Sequence, residues 1–113
     1  MLKIYHNPRC GKSREALEIL EGSGKDFQVV HYLQQPPTEG ELREIVEKLG
    51  LSPMDLVRQG EALWKENFKG KPLSDAQVIK VLAENPKLLE RPIVVRGKKA
   101  VIGRPPIRVK TLL

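Results

Sequence analysis

Leu2-Lys3-Ile4-Tyr5-His6-Asn7-Pro8-Arg9-Cys10-Gly11-Lys12-Ser13-Arg14-Glu15-Ala16-Leu17 is an apolar strand, a polar turn and the start of an amphipathic helix. Leu2 to Tyr5 reads as the strand. From Gly11 to about Gly22 the apolar residues Ala16, Leu17 and Leu20 recur at the period of a helix packed on one side. Gly22 and Gly24 supply its stop, and Phe27-Gln28-Val29-Val30-His31-Tyr32-Leu33 reads as a second strand. Strand, helix and strand in this order make a right-handed βαβ unit with parallel strands.

The pattern then breaks from Gln34 to Pro37. Thr38-Glu39-Gly40-Glu41 matches a capping box, in which hydroxyl and carboxylate satisfy each other's backbone donors. The helix it opens carries Leu42, Ile45, Val46 and Leu49 as its stripe and stops at Gly50. Ser52-Pro53-Met54-Asp55 opens a short helix with proline at a tolerated first position. Ala62, Leu63 and Phe68 mark another. Ser74-Asp75-Ala76-Gln77 is a second capping box, heading a helix with Val78, Ile79, Val81 and Leu82 inside, which Asn85-Pro86 ends. Further on, Pro92 to Arg96 and Lys99 to Ile102 flank Gly97-Lys98, the signature of a two-residue β-hairpin with glycine first in the turn. Ile107 to Leu113 reads as one or two helical turns. The fold class is therefore α/β with a mixed sheet: βαβ, a helical insertion at about 38–85, then ββα, in a single domain over residues 1–113.

Composition narrows the function. Of 113 residues, 40% are apolar and 30% charged, and no apolar run reaches membrane-spanning length. The N-terminal Met1-Leu2-Lys3-Ile4-Tyr5 turns polar too soon for a secretory signal, and a single cysteine rules out an internal disulfide. A cytoplasmic location is the expectation. The net charge of +6 invites a nucleic-acid reading. The cations are scattered, however, and no groove-reading helix, RNP-like run or zinc-finger spacing accompanies them. Direct nucleic-acid binding and membrane association are not expected. With one cysteine and two histidines at no useful spacing, no metal site is expected either.

Chemistry concentrates at Cys10. A helix N-terminus presents unpaired backbone N–H groups and a partial positive charge, both of which favour thiolate over thiol. His6, Arg9, Lys12 and Arg14 bring cationic or potentially cationic groups to the same turn. Gly11-Lys12-Ser13 matches the end of a P-loop, but His6 stands where its first glycine belongs and Pro8 removes a donor. Nucleotide hydrolysis is thereby disfavoured, whereas a single tetrahedral anion still suits a glycine turn at a helix N-terminus. His31 reads as structural.

The runs Ile4 to Arg14, Leu56-Val57-Arg58, Arg91-Pro92-Ile93-Val94-Val95 and Ile102-Gly103-Arg104-Pro105-Pro106 resemble the arsenate reductases of the glutaredoxin-like type, together with the related Spx regulators. The resemblance covers essentially the whole chain and implies a thioredoxin-like fold with helices inserted between its second and third strands. It implies that Cys10 is the nucleophile and that Arg58, Arg91 and Arg104 surround the oxyanion. His6, Asn7, Gly11, Lys12, Ser13 and Arg14 would bind substrate or stabilise the thiolate. It also implies a cis peptide at Arg91-Pro92, arsenate as substrate, glutathione as co-substrate and glutaredoxin as partner. Three departures stand out. Lys12 lies where members often carry threonine, Ile107 replaces a common glutamate, and Ser13 occupies the place of the second cysteine in the C-x-x-C regulators. The rival readings are a non-enzymatic regulator binding RNA polymerase and a thiol oxidoreductase acting on another substrate.

Overall fold

The computed structural model describes residues 2–113, which fall into two compact units. One runs through Gln35 and resumes at Arg91–Leu113; the other is Pro36–Glu90. The first holds the sheet. Strand β1 (Leu2–His6) leads through the cysteine turn into helix α1 (Gly11–Gly22), and β2 (Phe27–His31) returns parallel to β1. Strands β3 (Ile93–Arg96) and β4 (Lys99–Ile102) form the hairpin, with Gly97 at φ 59° in the turn. Sheet order is β2-β1-β3-β4, mixed as the sequence predicts, because β3 runs antiparallel to β1.

The apolar stripe of α1 explains why the unit closes. Ala16 and Leu20 pack with Leu2 and Ile4 of β1, Val94 of β3, and Val109 and Leu112 of the C-terminal segment. Each buried aliphatic side chain of this kind is worth about 1.5–3 kcal/mol relative to exposure. The terminal segment, Pro106–Leu112, winds as a 3₁₀ helix. Strand β2 ends at His31, two residues short of the predicted Leu33. The His31 carbonyl accepts from the N–H groups of Gln34 (3.0 Å) and Gln35 (2.9 Å), so the chain turns before the apolar run is finished.

The second unit contains helices α2 (Glu39–Leu49), α3 (Ala62–Asn67) and α4 (Asp75–Glu84), with 3₁₀ turns at Pro53–Leu56 and Pro86–Leu88. Both predicted capping boxes form: Thr38 with Glu41, and Ser74 with Gln77. Ser52 and Asp55 make a third. Gly50 ends α2 at φ 68°, the left-handed conformation that glycine adopts without strain. Helices α2 to α4 span 39–84, and the Val57–Leu89 bridge, with Arg58 N–H on the Leu88 carbonyl (2.7 Å), keeps residues up to Glu90 in this unit. Among the described residues no helix is long and apolar enough to cross a membrane.

Gly103 is the tightest backbone position in the first unit. Its N–H donates to the Pro92 carbonyl (2.8 Å), and a Cβ there would lie 2.8 Å from Pro92 Cγ and 3.1 Å from Val109 Cγ1. A pyrrolidine ring cannot swing aside as a flexible side chain can. Gly103→Ala is expected to lower stability by about 1–3 kcal/mol in urea unfolding. Gly22→Ala, which meets nothing within 4 Å and adds helix propensity, is expected to raise it by up to ~1 kcal/mol.

Candidate active site

The strand register decides which segments meet. Tyr5 pairs with Ile93, and Ile93 with Ile102. The turn after β1, the Arg91-Pro92 segment before β3 and the Gly103-Arg104 segment after β4 therefore leave the sheet at the same end. His6 pairs in register with His31, so the end of β2 lies there too.

Cys10 is the N-cap of α1, with extended backbone (φ −95°, ψ 122°) and 8% exposure. Its N–H donates to the Asn7 carbonyl (3.0 Å), and its own carbonyl accepts the first helical bond, from Arg14 (3.0 Å). Asn7 Oδ1 accepts from the Arg9 N–H (3.0 Å), a local bond that fixes the turn. Arg14 reaches back from the helix to donate from Nη1 to the Pro8 carbonyl (2.9 Å), strapping the turn from its outer side. No side chain caps the first turn of α1, so its N–H groups face the thiol's end of the helix without a built-in acceptor. Gly11 and Lys12 are exposed in that turn.

Ser13 is fully buried and supports the turn from below. Its Oγ lies 2.6 Å from His6 Nδ1 and accepts from the Asn7 N–H at 3.0 Å. The hydroxyl keeps a second lone pair and its proton, so this contact ties the ring to the turn in either tautomer. The ring's surroundings set its charge. Burial holds His6 below its ordinary value, the His31 ring at 6.0 Å and the Arg14 guanidinium push in the same direction, and a hydrogen bond at Ser13 opposes them. His6 is thus a neutral support at pH 7. It is not one of the cations beside the thiol, as the sequence reading allowed, and His31 is its electrostatic neighbour.

On the adjoining segments, Arg104 Nη1 donates to the Arg91 carbonyl (3.2 Å), and Arg91 Nε is enclosed. The Arg91-Pro92 bond is cis, as the resemblance implies; Arg104-Pro105 is also cis, which the sequence did not announce. Arg58 belongs to the other unit, where its Nη2 pairs with Glu61 Oε2 (3.2 Å) and Lys87 approaches Glu61 Oε1 (3.5 Å). Among the described residues no cluster of three or more His, Cys, Asp or Glu is placed to hold a metal ion.

The role of Ser13 is that of a buried support. The signal was present: positions 13, 16 and 20 share one helical face, so a serine on the apolar stripe of Ala16 and Leu20 implies a buried hydrogen bond. The groove along α1 formed by Lys12, Glu15, Glu18 and Ile19 against Pro105, Pro106 and Ile107 depends on how the C-terminal segment docks, which no local pattern encodes.

A mixed four-stranded sheet in this order, with a cysteine at the N-cap position of the helix after its first strand, defines a thioredoxin-like protein. The chain belongs to the ArsC family, whose model matches residues 5–112. It is 49% identical over 110 residues to the uncharacterized protein YfgD of Escherichia coli (strain K12), covering 96% of this chain and 92% of that one. It is 44% identical over 114 residues to an arsenate reductase of Neisseria meningitidis serogroup B (strain ATCC BAA-335 / MC58), covering 99% and 97%. Among solved structures, an arsenate reductase from Vibrio cholerae superposes with TM-score 0.94 at 45% identity, covering 99% of this chain and 97% of that one.

Two outcomes follow from the buried support. Ser13→Ala leaves the Asn7 N–H and the His6 ring without their partner and is expected to cost about 1–3 kcal/mol in urea unfolding. For pH, the unfolded chain takes up a proton on His6 near its ordinary value of 6.5 while the native state resists it. Stability is therefore expected to be complete above about pH 7 and to fall as pH drops through 6.5 toward the lower native value. His6→Asn, whose amide oxygen can still accept from Ser13, is expected to flatten that fall between about pH 7 and about pH 5.5; an unchanged slope would assign it to other groups.

Proposed function

We propose that this protein is an oxidoreductase that reduces arsenate to arsenite, with Cys10 as nucleophile and an external thiol, glutathione, as reductant. The observation that carries the reading is the strand register: the cysteine turn, Arg91-Pro92 and Gly103-Arg104 leave one end of the sheet. Thiolate and arsenate are both anions, so their approach requires fixed positive charge. Arg91 and Arg104 supply it through guanidinium forks suited to paired oxygens, and Arg58 is the third arginine of this reading.

The Cys10 thiolate attacks arsenic, a sulfur–arsenic bond forms, and a protonated oxygen leaves as water. The backbone N–H groups of the first turn of α1, those of Gly11 and Lys12 among them, bind the oxyanion charge that remains. Asn7, Ser13, His6 and Arg14 hold the turn in shape. Among the described residues Cys10 is the one cysteine, so the second thiol comes from outside. A glutathione thiolate attacks the Cys10 sulfur, a disulfide forms, and the sulfur–arsenic electron pair passes to arsenic, which departs as arsenite. A further thiol, from glutathione or glutaredoxin, releases Cys10 by exchange. Two thiols become one disulfide and arsenic gains two electrons, so the sequence balances. The reaction needs no bound cofactor, and its place in the cell would be the cytoplasm, where thiols are kept reduced.

The test is an assay of the purified protein with arsenate, glutathione, glutaredoxin and NADPH. Turnover is expected, and Cys10→Ser is expected to abolish it while leaving the unfolding transition in place. Arg91→Lys and Arg104→Lys are each expected to lower kcat/KM for arsenate by about 10²-fold, the cost of losing one oxyanion donor. Retained turnover in Cys10→Ser would overturn the mechanism.

A further inference from the structure

We infer that the groove between α1 and the Pro105–Ile107 segment is the seat of the reducing thiol's γ-glutamyl head. This rests on the proposal that a small thiol peptide regenerates Cys10. The groove, about 540 Å³, is lined by Lys12, Glu15, Glu18 and Ile19 on the helix and by Pro105, Pro106 and Ile107 opposite. The four helical positions fall within roughly 120° of the helix circumference, so they form one continuous wall. The Ile107 side is apolar, and Ile107 is 60% exposed.

Charge order along this wall suits an amino-acid head. Lys12 lies in the first turn, two residues after Cys10, and Glu15 and Glu18 follow at roughly 4.5 Å and 9 Å of axial rise. Lys12, Glu15 and Glu18 form no ion pair with one another. A γ-glutamyl group carries an α-carboxylate and an α-ammonium on the same carbon. Its carboxylate meets Lys12, and its ammonium meets Glu15 and Glu18. The groove begins at Lys12, two residues after Cys10 at the same end of α1, and a γ-glutamyl-cysteine spans about two residue lengths, ~7 Å. A plain anion would be repelled by the two glutamates, and a plain cation by Lys12. The zwitterion satisfies both.

The probe is S-methylglutathione, which keeps the head and cannot react. In a titration followed by amide NMR of the whole protein, the Lys12–Ile19 and Ile107 signals are expected to shift, saturably and less at high salt. Glu15→Lys with Glu18→Lys is expected to raise Kd at least fivefold, and acetylating the probe's α-ammonium to do the same in the unaltered protein. Absence of shifts in these segments overturns the assignment, as does their perturbation by glutaredoxin alone. Because binding is read without arsenate, the two readings separate. Shifts in the groove without arsenate turnover leave this seat standing and remove the arsenate reading. Turnover without shifts does the reverse.

Discussion

The pairing of β1 on both sides is the constraint on which the rest depends. Held parallel to β2 and antiparallel to β3, this strand fixes three chain segments at one end of the sheet with no help from the loops themselves. A slip of one residue would turn Leu2 and Ile4 away from α1 and move the cysteine turn relative to Arg91. The core of Leu2, Ile4, Ala16, Leu20 and Val94 penalises such a slip heavily, because each of these side chains is buried. Site geometry and core stability are set by the same register.

Within that frame the thiol is placed by backbone and supported by a buried hydroxyl. The Cys10 N–H and carbonyl close the turn and open the helix, while Ser13 ties strand to helix through His6 and Asn7. A neutral His6 fits this role better than a charged one, since an imidazolium would be a buried cation close to the exposed Arg14 guanidinium. In the proposed mechanism the charge that favours the anion comes from the helix N-terminus and the arginines, groups that keep it across the physiological pH range. Lys12 and Ile107, two positions at which the chain departs from the resembling family's pattern, line the same groove beside this site.

Most of the fold was legible because its signals are local. Capping boxes at Thr38 and Ser74, stop glycines and the Gly97-Lys98 hairpin each act over a few residues, and each appears in the structure. Strand β2 stops at His31 because a turn over the next four residues captures that carbonyl, a local signal that the apolar run through Leu33 masks. At the site, Cys10 was conspicuous as a lone thiol at a strand-to-helix junction. Ser13 was half-visible as a polar residue on an apolar stripe, whereas the His6–His31 coupling requires the parallel register and cannot be read from either strand alone.

The central claim is that one thiol, Cys10, carries the electrons from an external thiol to the oxyanion. It is tested most directly by rapid-quench mass spectrometry of the protein mixed with arsenate and a single equivalent of glutathione. The account predicts a glutathione mixed disulfide on Cys10 that forms only when arsenate is present, in step with the appearance of arsenite. Arsenite forming while Cys10 stays unmodified throughout, or the same disulfide arising equally without arsenate, would contradict it.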